Sequence, residues 1–171
     1  VLLITFFLTV IFDLTVAIEV GLLIACVLFM KRVMETTDIS VIKNEIDPNN
    51  ESDLEVHEEH LMVPEGVEVY EINGPYFFGI ATKFEEIMSE LGDRPKVRII
   101  RMRKVPFIDS TGIHNLTNLC EMSKKENIHI VLSGVNEKVH KVLEKAGFYD
   151  LLGEDNICPN INVALEKAKA I

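Results

Sequence analysis

Residues 1–30 contain neither lysine nor arginine, and their only charges are Asp13 and Glu19. A secretory leader would open on a basic segment after an initiator methionine; this chain opens on Val1 with neither, which rejects that reading. The missing methionine also implies a piece of something longer. Cysteine is sparse: positions 26, 120 and 158 lie far apart and form no CxxC pair. That removes a disulfide framework and a cysteine zinc site, and it fits a reducing compartment. No GxxxxGK(S/T) phosphate loop occurs, and spacing alone shows no Ser/His/Asp constellation, so neither an enzyme nor a cofactor is expected. A basic stripe interleaved with aromatics is lacking too, which drops nucleic acid as a partner.

The charge that is present sits in one place. Of the net charge of -10, residues 1–34 contribute nothing, residues 35–71 carry twelve acids against Lys43, and residues 72–171 are nearly neutral. The acidity therefore belongs to a connecting segment, and two solvents are implied for what lies on either side of it.

The apolar run "VLLITFFLTVIFDLTVAIEVGLLIACVLFMKR" is suited to a bilayer, since about 20 apolar residues cross a hydrocarbon core. It is too long for one upright span and too short for two. Asp13 interrupts it, and a charge at membrane depth is costly unless it faces a protein interior or a cavity. The pattern predicts Val1–Phe12 as the tail of one membrane element, Asp13–Thr15 as a break, and Val16–Met30 as a short final helix. Lys31 and Arg32 follow at once and place the remainder in the cytoplasm by the positive-inside rule. Glu19 either faces a protein interior or sits near an interface. A buried core helix of a soluble protein is the competing reading of the whole run.

Residues 1–32 are thus read as the end of a transmembrane domain, 33–64 as an acidic linker, and 65–171 as a cytoplasmic domain. The linker centres on "DPNNESD" at 47–53 and has weak structural preference. Its "HEEH" at 57–60 places the histidines three apart, whereas the zincin helix needs four and a third ligand, so a solvated acidic stretch is preferred to a metal site.

Beyond Glu65, "VEVYEI" at 67–72 reads as a strand of imperfect alternation. Phe77, Ile80, Ala81, Phe84, Ile87, Met88 and Leu91 share helical spacing, and "GDRP" at 92–95 stops that helix. "KVRIIRM" at 96–102 and "NIHIVLSGV" at 127–135 read as strands. Between them, Ile113, Leu116, Leu119, Cys120 and Met122 mark a helix face. Asn136 caps a further helix ending at Gly147, and a last helix covers 161–170. Strands alternating with helices imply an α/β fold with a mostly parallel central sheet flanked by helices.

In such a sheet, loops at the C-terminal ends of strands carry ligands and switches. "VPFIDSTGI" at 105–113 occupies that place, with Asp109, Ser110, Thr111 and Gly112 opening a helix. The three oxygen-bearing side chains are good caps for free backbone amides. A phosphate on Ser110 would suit the positive end of the helix, though Asp109 beside it adds repulsion. Capping and switching predict the same loop. His114 on the helix start is expected to face solvent or to pack.

"FFLTVIFDLTVAIEVGLLIACVLFMKR" resembles the end of the membrane domain of SulP/SLC26 anion transporters, and "VPFIDSTGI" resembles the signature loop of the STAS domain that follows it there. "GPYFFGIATKFEE" at 74–86 and "VNEKVHKVLEKAGFYDLL" at 135–152 are similar to STAS helices. The resemblance implies the C-terminal part of a multi-pass transporter of the cell membrane, for sulfate, bicarbonate or a dicarboxylate. Its STAS domain would be a cytoplasmic platform for regulation and assembly, with lipid, a second transporter copy and a cytoplasmic regulatory protein as partners. Family substrate sites lie elsewhere in the membrane domain, among half-helices absent from this sequence. Freestanding STAS proteins, the bacterial anti-sigma-factor antagonists, are phosphorylated on the serine of a D-S-(S/T)-G loop, which Ser110 matches. A membrane-tethered signalling switch is the alternative this implies.

Overall fold

The computed structural model describes residues 2–35, 38–42, 45–46, 61–77, 84, 87 and 94–171. Two compact units are formed, Val1–Thr36 and Thr37–Ile171.

The first unit is a pair of packed helices, α1 (Leu2–Ile11) and α2 (Leu14–Glu35). The break falls at Phe12 and Asp13, where the Asp13 carboxylate accepts from the Leu14 amide at 2.7 Å and its carbonyl from the Ala17 amide at 3.1 Å. Asp13 therefore starts the next helix directly. For that reason α2 begins two residues earlier than the expected Val16, and it continues past Lys31 and Arg32 to Glu35. Within it, Leu14–Arg32 is long and apolar enough to cross a membrane by length and composition. At 1.5 Å per residue those 19 residues reach about 28 Å, close to the hydrocarbon thickness. Their apolar side chains, Leu22, Leu23, Val27, Leu28 and Phe29 among them, are exposed.

The second unit is a five-stranded sheet covered on both faces. Its strands are β1 (Asp38–Ile42), β4 (Val67–Asn73), β5 (Val97–Arg101), β6 (His129–Ser133) and β7 (Ile157–Cys158), in the order β1-β4-β5-β6-β7. β1 runs antiparallel to β4, and the other neighbours are parallel. A separate two-stranded ribbon joins β2 (Glu45–Ile46) to β3 (Leu61–Met62). Helices α3 (Ser110–Lys125), α4 (Glu137–Lys145), α5 (Phe148–Leu152) and α6 (Ile161–Lys169) complete the unit, with a 3-10 turn at Glu154–Asn156. Six α-helices thus have described bounds, and Phe84 and Ile87 are helical as well.

Strand β4 is buried along both faces because β1 and β5 flank it and helices cover the sheet above and below, the usual burial of a parallel sheet. On one face Ile39, Tyr70, Ile72, Ile100, Ile130 and Leu132 pack under α3, α4 and α5. Phe84, helical in the structure, stacks on Tyr70 with centroids 4.9 Å apart. On the other face Val67, Val69, Val97, Ile99 and Val131 pack against Ile161, Ala164, Leu165 and Ala168 of α6.

The segment read as a linker over 33–64 thus supplies a strand of the main sheet. In "DISVI" the alternation of Ile39 and Val41 toward the core was hidden by the acidity around it. Two further pieces, α5 and β7, were also unforeseen; they are too short for a periodic signal. The segment over 33–64 also supplies the end of α2 and strands β2 and β3, while its positions 36–37, 43–44 and 47–60, "HEEH" included, and most of the helix expected over 77–91 lie outside the described residues.

Candidate functional site

The "VPFIDSTG" loop lies at the C-terminal edge of the sheet, where two segments hold it. The Tyr76 amide donates to the Phe107 carbonyl at 3.0 Å, the Asp109 amide donates to the Tyr76 carbonyl at 3.3 Å, and Tyr76 and Ile108 form a parallel bridge. From the other side, Asn136 Nδ2 donates to the Val105 carbonyl at 2.5 Å while its Oδ1 caps α4 at the Val139 amide. One asparagine therefore fixes a helix start and the loop beside it.

Asp109 is the N-cap of α3, with extended backbone, and its Oδ1 accepts from the Gly112 amide at 2.6 Å. Ser110 and Thr111, which had the same capping chemistry, stand in the first turn with exposed side chains. Gly112 is buried because the Tyr76 segment crosses it: a Cβ there would collide with the Tyr76 carbonyl and lie 2.9 Å from Ile108 Cγ1. The glycine of the motif is thus a packing requirement. Phe107, 53 % exposed, flanks the loop on the surface. His114 is exposed, and its Nε2 lies 3.3 Å from Asn118 Nδ2, directed along the helix. The arrangement leaves Ser110 and Phe107 exposed at the loop surface.

Beneath the loop, burial favours the neutral forms of Tyr76, Cys120 and Tyr70. Burial pushes the phenol of Tyr76 up, helped by nearby Cys120. Burial likewise raises the Cys120 thiol to about 12, with Glu121 adding to the effect. Tyr70 is raised by burial and by its 2.7 Å hydrogen bond to Glu68. Charges are also buried here, which the strand patterns did not reveal. Glu71 and Arg101 are register partners on β4 and β5 and meet at 3.1 Å, with Lys104 at 3.7 Å from the same carboxylate. Arg98 lies 5.5 Å from the Tyr70 ring centroid and donates to Ser123 Oγ at 3.1 Å.

Asp13 and Glu19, the two charges singled out in the apolar run, are both exposed in the helical unit. Sequence reasoning missed a cleft between the ends of β5 and β6 and the start of α6, lined by Arg101, Arg103, Ser133 and Asn160. An arginine closing each side of "RMR" and an asparagine before the last helix were the only signals for it.

The model of the STAS domain family matches residues 60–164. Among curated proteins, the chain is 29 % identical over 159 residues to YvdB of Bacillus subtilis, covering 89 % of this chain and 27 % of that protein. It is 29 % identical over 166 residues to sulfate transporter 1.2 of Arabidopsis thaliana, covering 88 % and 25 %. The chain spans about a quarter of the length of these relatives. Among solved structures, a sulfate transporter family protein from Wolinella succinogenes is 43 % identical with a TM-score of 0.61, over 64 % of this chain and 90 % of that one. The murine Slc26a9 anion transporter shares the fold at 18 % identity, with a TM-score of 0.72 over 99 % of this chain and 28 % of that one. An anti-sigma factor antagonist from Mycobacterium paratuberculosis shares it at 17 % identity and a TM-score of 0.52, over 77 % and 95 %.

Proposed function

Because this chain belongs to the STAS domain family, as a STAS-containing part of the SulP/SLC26 kind, we propose that it is the C-terminal part of a secondary anion transporter. The anion is sulfate, bicarbonate or a dicarboxylate. The STAS domain regulates and assembles the transporter from the cytoplasmic side of the cell membrane, in a homodimer formed through the parent protein.

The observation that carries this reading is the succession, on one chain, of an apolar helix of membrane-crossing length and a STAS sheet. The helix needs a membrane for its exposed apolar surface. The sheet brings a surface loop with exposed Ser110 and Phe107, suited to a cytoplasmic regulatory protein.

Uptake of labelled sulfate, bicarbonate and dicarboxylate into vesicles tests it, using the protein that carries this sequence, intact and with residues 38–171 removed. The cut precedes β1 because that strand belongs to the sheet. The order of anion preference should survive the deletion, while transport rate or the amount of assembled protein falls. An altered preference would refute the division of labour, and absence of uptake for all three anions would refute the transport reading.

One observation favours a second reading. Asp109 performs the capping, which leaves the Ser110 hydroxyl exposed at a helix start, where a phosphoserine is electrostatically favoured. A membrane-tethered switch phosphorylated at Ser110 is consistent with that geometry. Phosphopeptide mapping of the expressed protein that always finds Ser110 unmodified would count against it.

A further inference from the structure

On the α6 face of the sheet, β5 and β6 end side by side in Arg101 and Ser133, which are register partners. Beyond them lies a cleft of about 360 Å³ lined by Arg101, Arg103, Ser133, Asn160 and Asn162. The start of α6 faces this space. Asn160 Oδ1 takes the Val163 amide and its carbonyl takes the Ala164 amide, so the Ile161 and Asn162 amides are the first-turn donors outside the helix ladder.

An independent observation points at a ligand. Ser133 is fully buried, and its Oγ has no hydrogen-bond partner. Its backbone carbonyl is used, accepting from the Met102 amide at 2.8 Å. By strand alternation its side chain lies on the same face as Val131, which packs toward α6, so the hydroxyl points to the cleft floor. A buried hydroxyl without a partner is a desolvation cost that a bound acceptor would remove.

Among the described residues, the charged side chains lining the cleft are Arg101 and Arg103. Glu71 meets Arg101 at 3.1 Å and Lys104 at 3.7 Å, which fixes the Arg101 guanidinium at the strand end, and Arg103 lines the cleft beside it. Arg103 is exposed, and its backbone rests on the turn after β6. Gly134 has φ 68°, and a Cβ there would lie 3.3 Å from Arg103 Cβ, so the turn packs directly beneath that residue.

We propose that this cleft binds a tetrahedral oxyanion, sulfate or phosphate, as the free ion or as a phosphomonoester. Guanidinium, amide and hydroxyl are all donors, and the guanidinium fork matches a pair of anionic oxygens. The helix start adds partial positive charge. The position beyond the C-terminal ends of parallel strands is where α/β sheets take ligands. The proposal does not depend on the transport reading.

The full chain, 15N-labelled in detergent micelles, is titrated with sodium sulfate, sodium phosphate and glycerol phosphate at constant ionic strength. Saturable shifts of the Ser133, Gly134, Ile161 and Asn162 amides are expected with at least one of them. Saturation by a free ion identifies the inorganic source; saturation by glycerol phosphate alone identifies a phosphomonoester. S133A should weaken binding about tenfold, the effect of one lost hydrogen bond to a charged group. R103Q, on an exposed side chain, should weaken it at least as much, and it decides the matter if S133A fails to fold. No saturable shift with any of the three, or an unchanged affinity in folded S133A, would overturn the proposal.

Discussion

Asp109 and Gly112 show how two residues of one motif do different structural work. Replacing Asp109 by alanine removes an N-cap bond of 2.6 Å and should cost about 1 kcal/mol in chemical denaturation of the chain. Gly112→Ala must push against the Tyr76 backbone, so a larger loss of about 1–3 kcal/mol is expected from overpacking. Ser110→Glu touches neither feature. It places an acid in the first helical turn, and stability should stay within about 0.5 kcal/mol of the parent while any docking that reads the Ser110 hydroxyl changes. Thiol chemistry gives another residue-level check. Cys120 is buried with its pKa raised to about 12, and Cys158 is buried and raised as well. Alkylation of the native chain at pH 7.5, followed by peptide mass mapping, should therefore spare both until the chain is denatured; rapid labelling of Cys120 would contradict the packing beneath the loop.

Among the elements, the buried pair between β4 and β5 carries the sharpest test. Glu71→Leu removes the carboxylate from a buried pair and should destabilise by about 3–5 kcal/mol; Arg101→Leu should cost less because Lys104 still lies 3.7 Å from Glu71, and the double variant should be less damaged than the two losses added. Additive losses in denaturation would mean that the pair is not coupled. This pair also marks how far sequence can be read. The strands at 67–73 and 97–101 and the helices starting at Ser110, Glu137 and Ile161 were legible because β-branched runs, helical periodicity and, at Asn136, a capping residue agreed. The burial of Glu68, Glu71, Arg98 and Arg101 in those same strands was not legible, because burial of a charge depends on partners that only the folded sheet and its helices bring together. β1 was illegible for a related reason: five residues show their alternation only once β4 lies beside them. The anion cleft joins Arg101, Ser133 and Asn160 from three separate stretches, and no local pattern announces such a meeting.

For the molecule as a whole, buried protonated groups of the STAS unit make its stability depend on pH. Tyr70, Tyr76 and Cys120 have folded-state pKa values raised above their ordinary values of 10.0, 10.0 and 9.0. The folded state holds these protons after the unfolded chain has released them. The stability they confer is therefore complete below pH 9 and falls as pH rises above it, at about 1.4 kcal/mol per pH unit for each proton retained. Denaturation midpoints should be flat with respect to these groups near neutrality and drop from pH 9 upward; a midpoint that rises there would contradict the burial. The larger claim is that an apolar helical unit and a STAS sheet serve one transporter. The most direct test is the mass of the native polypeptide, extracted from membranes of the source cell and identified by peptides spanning the "IDSTG" loop. A membrane protein several times larger than 19.3 kDa is the predicted result, and a native chain near 19.3 kDa would contradict it and leave the tethered switch at Ser110 in its place.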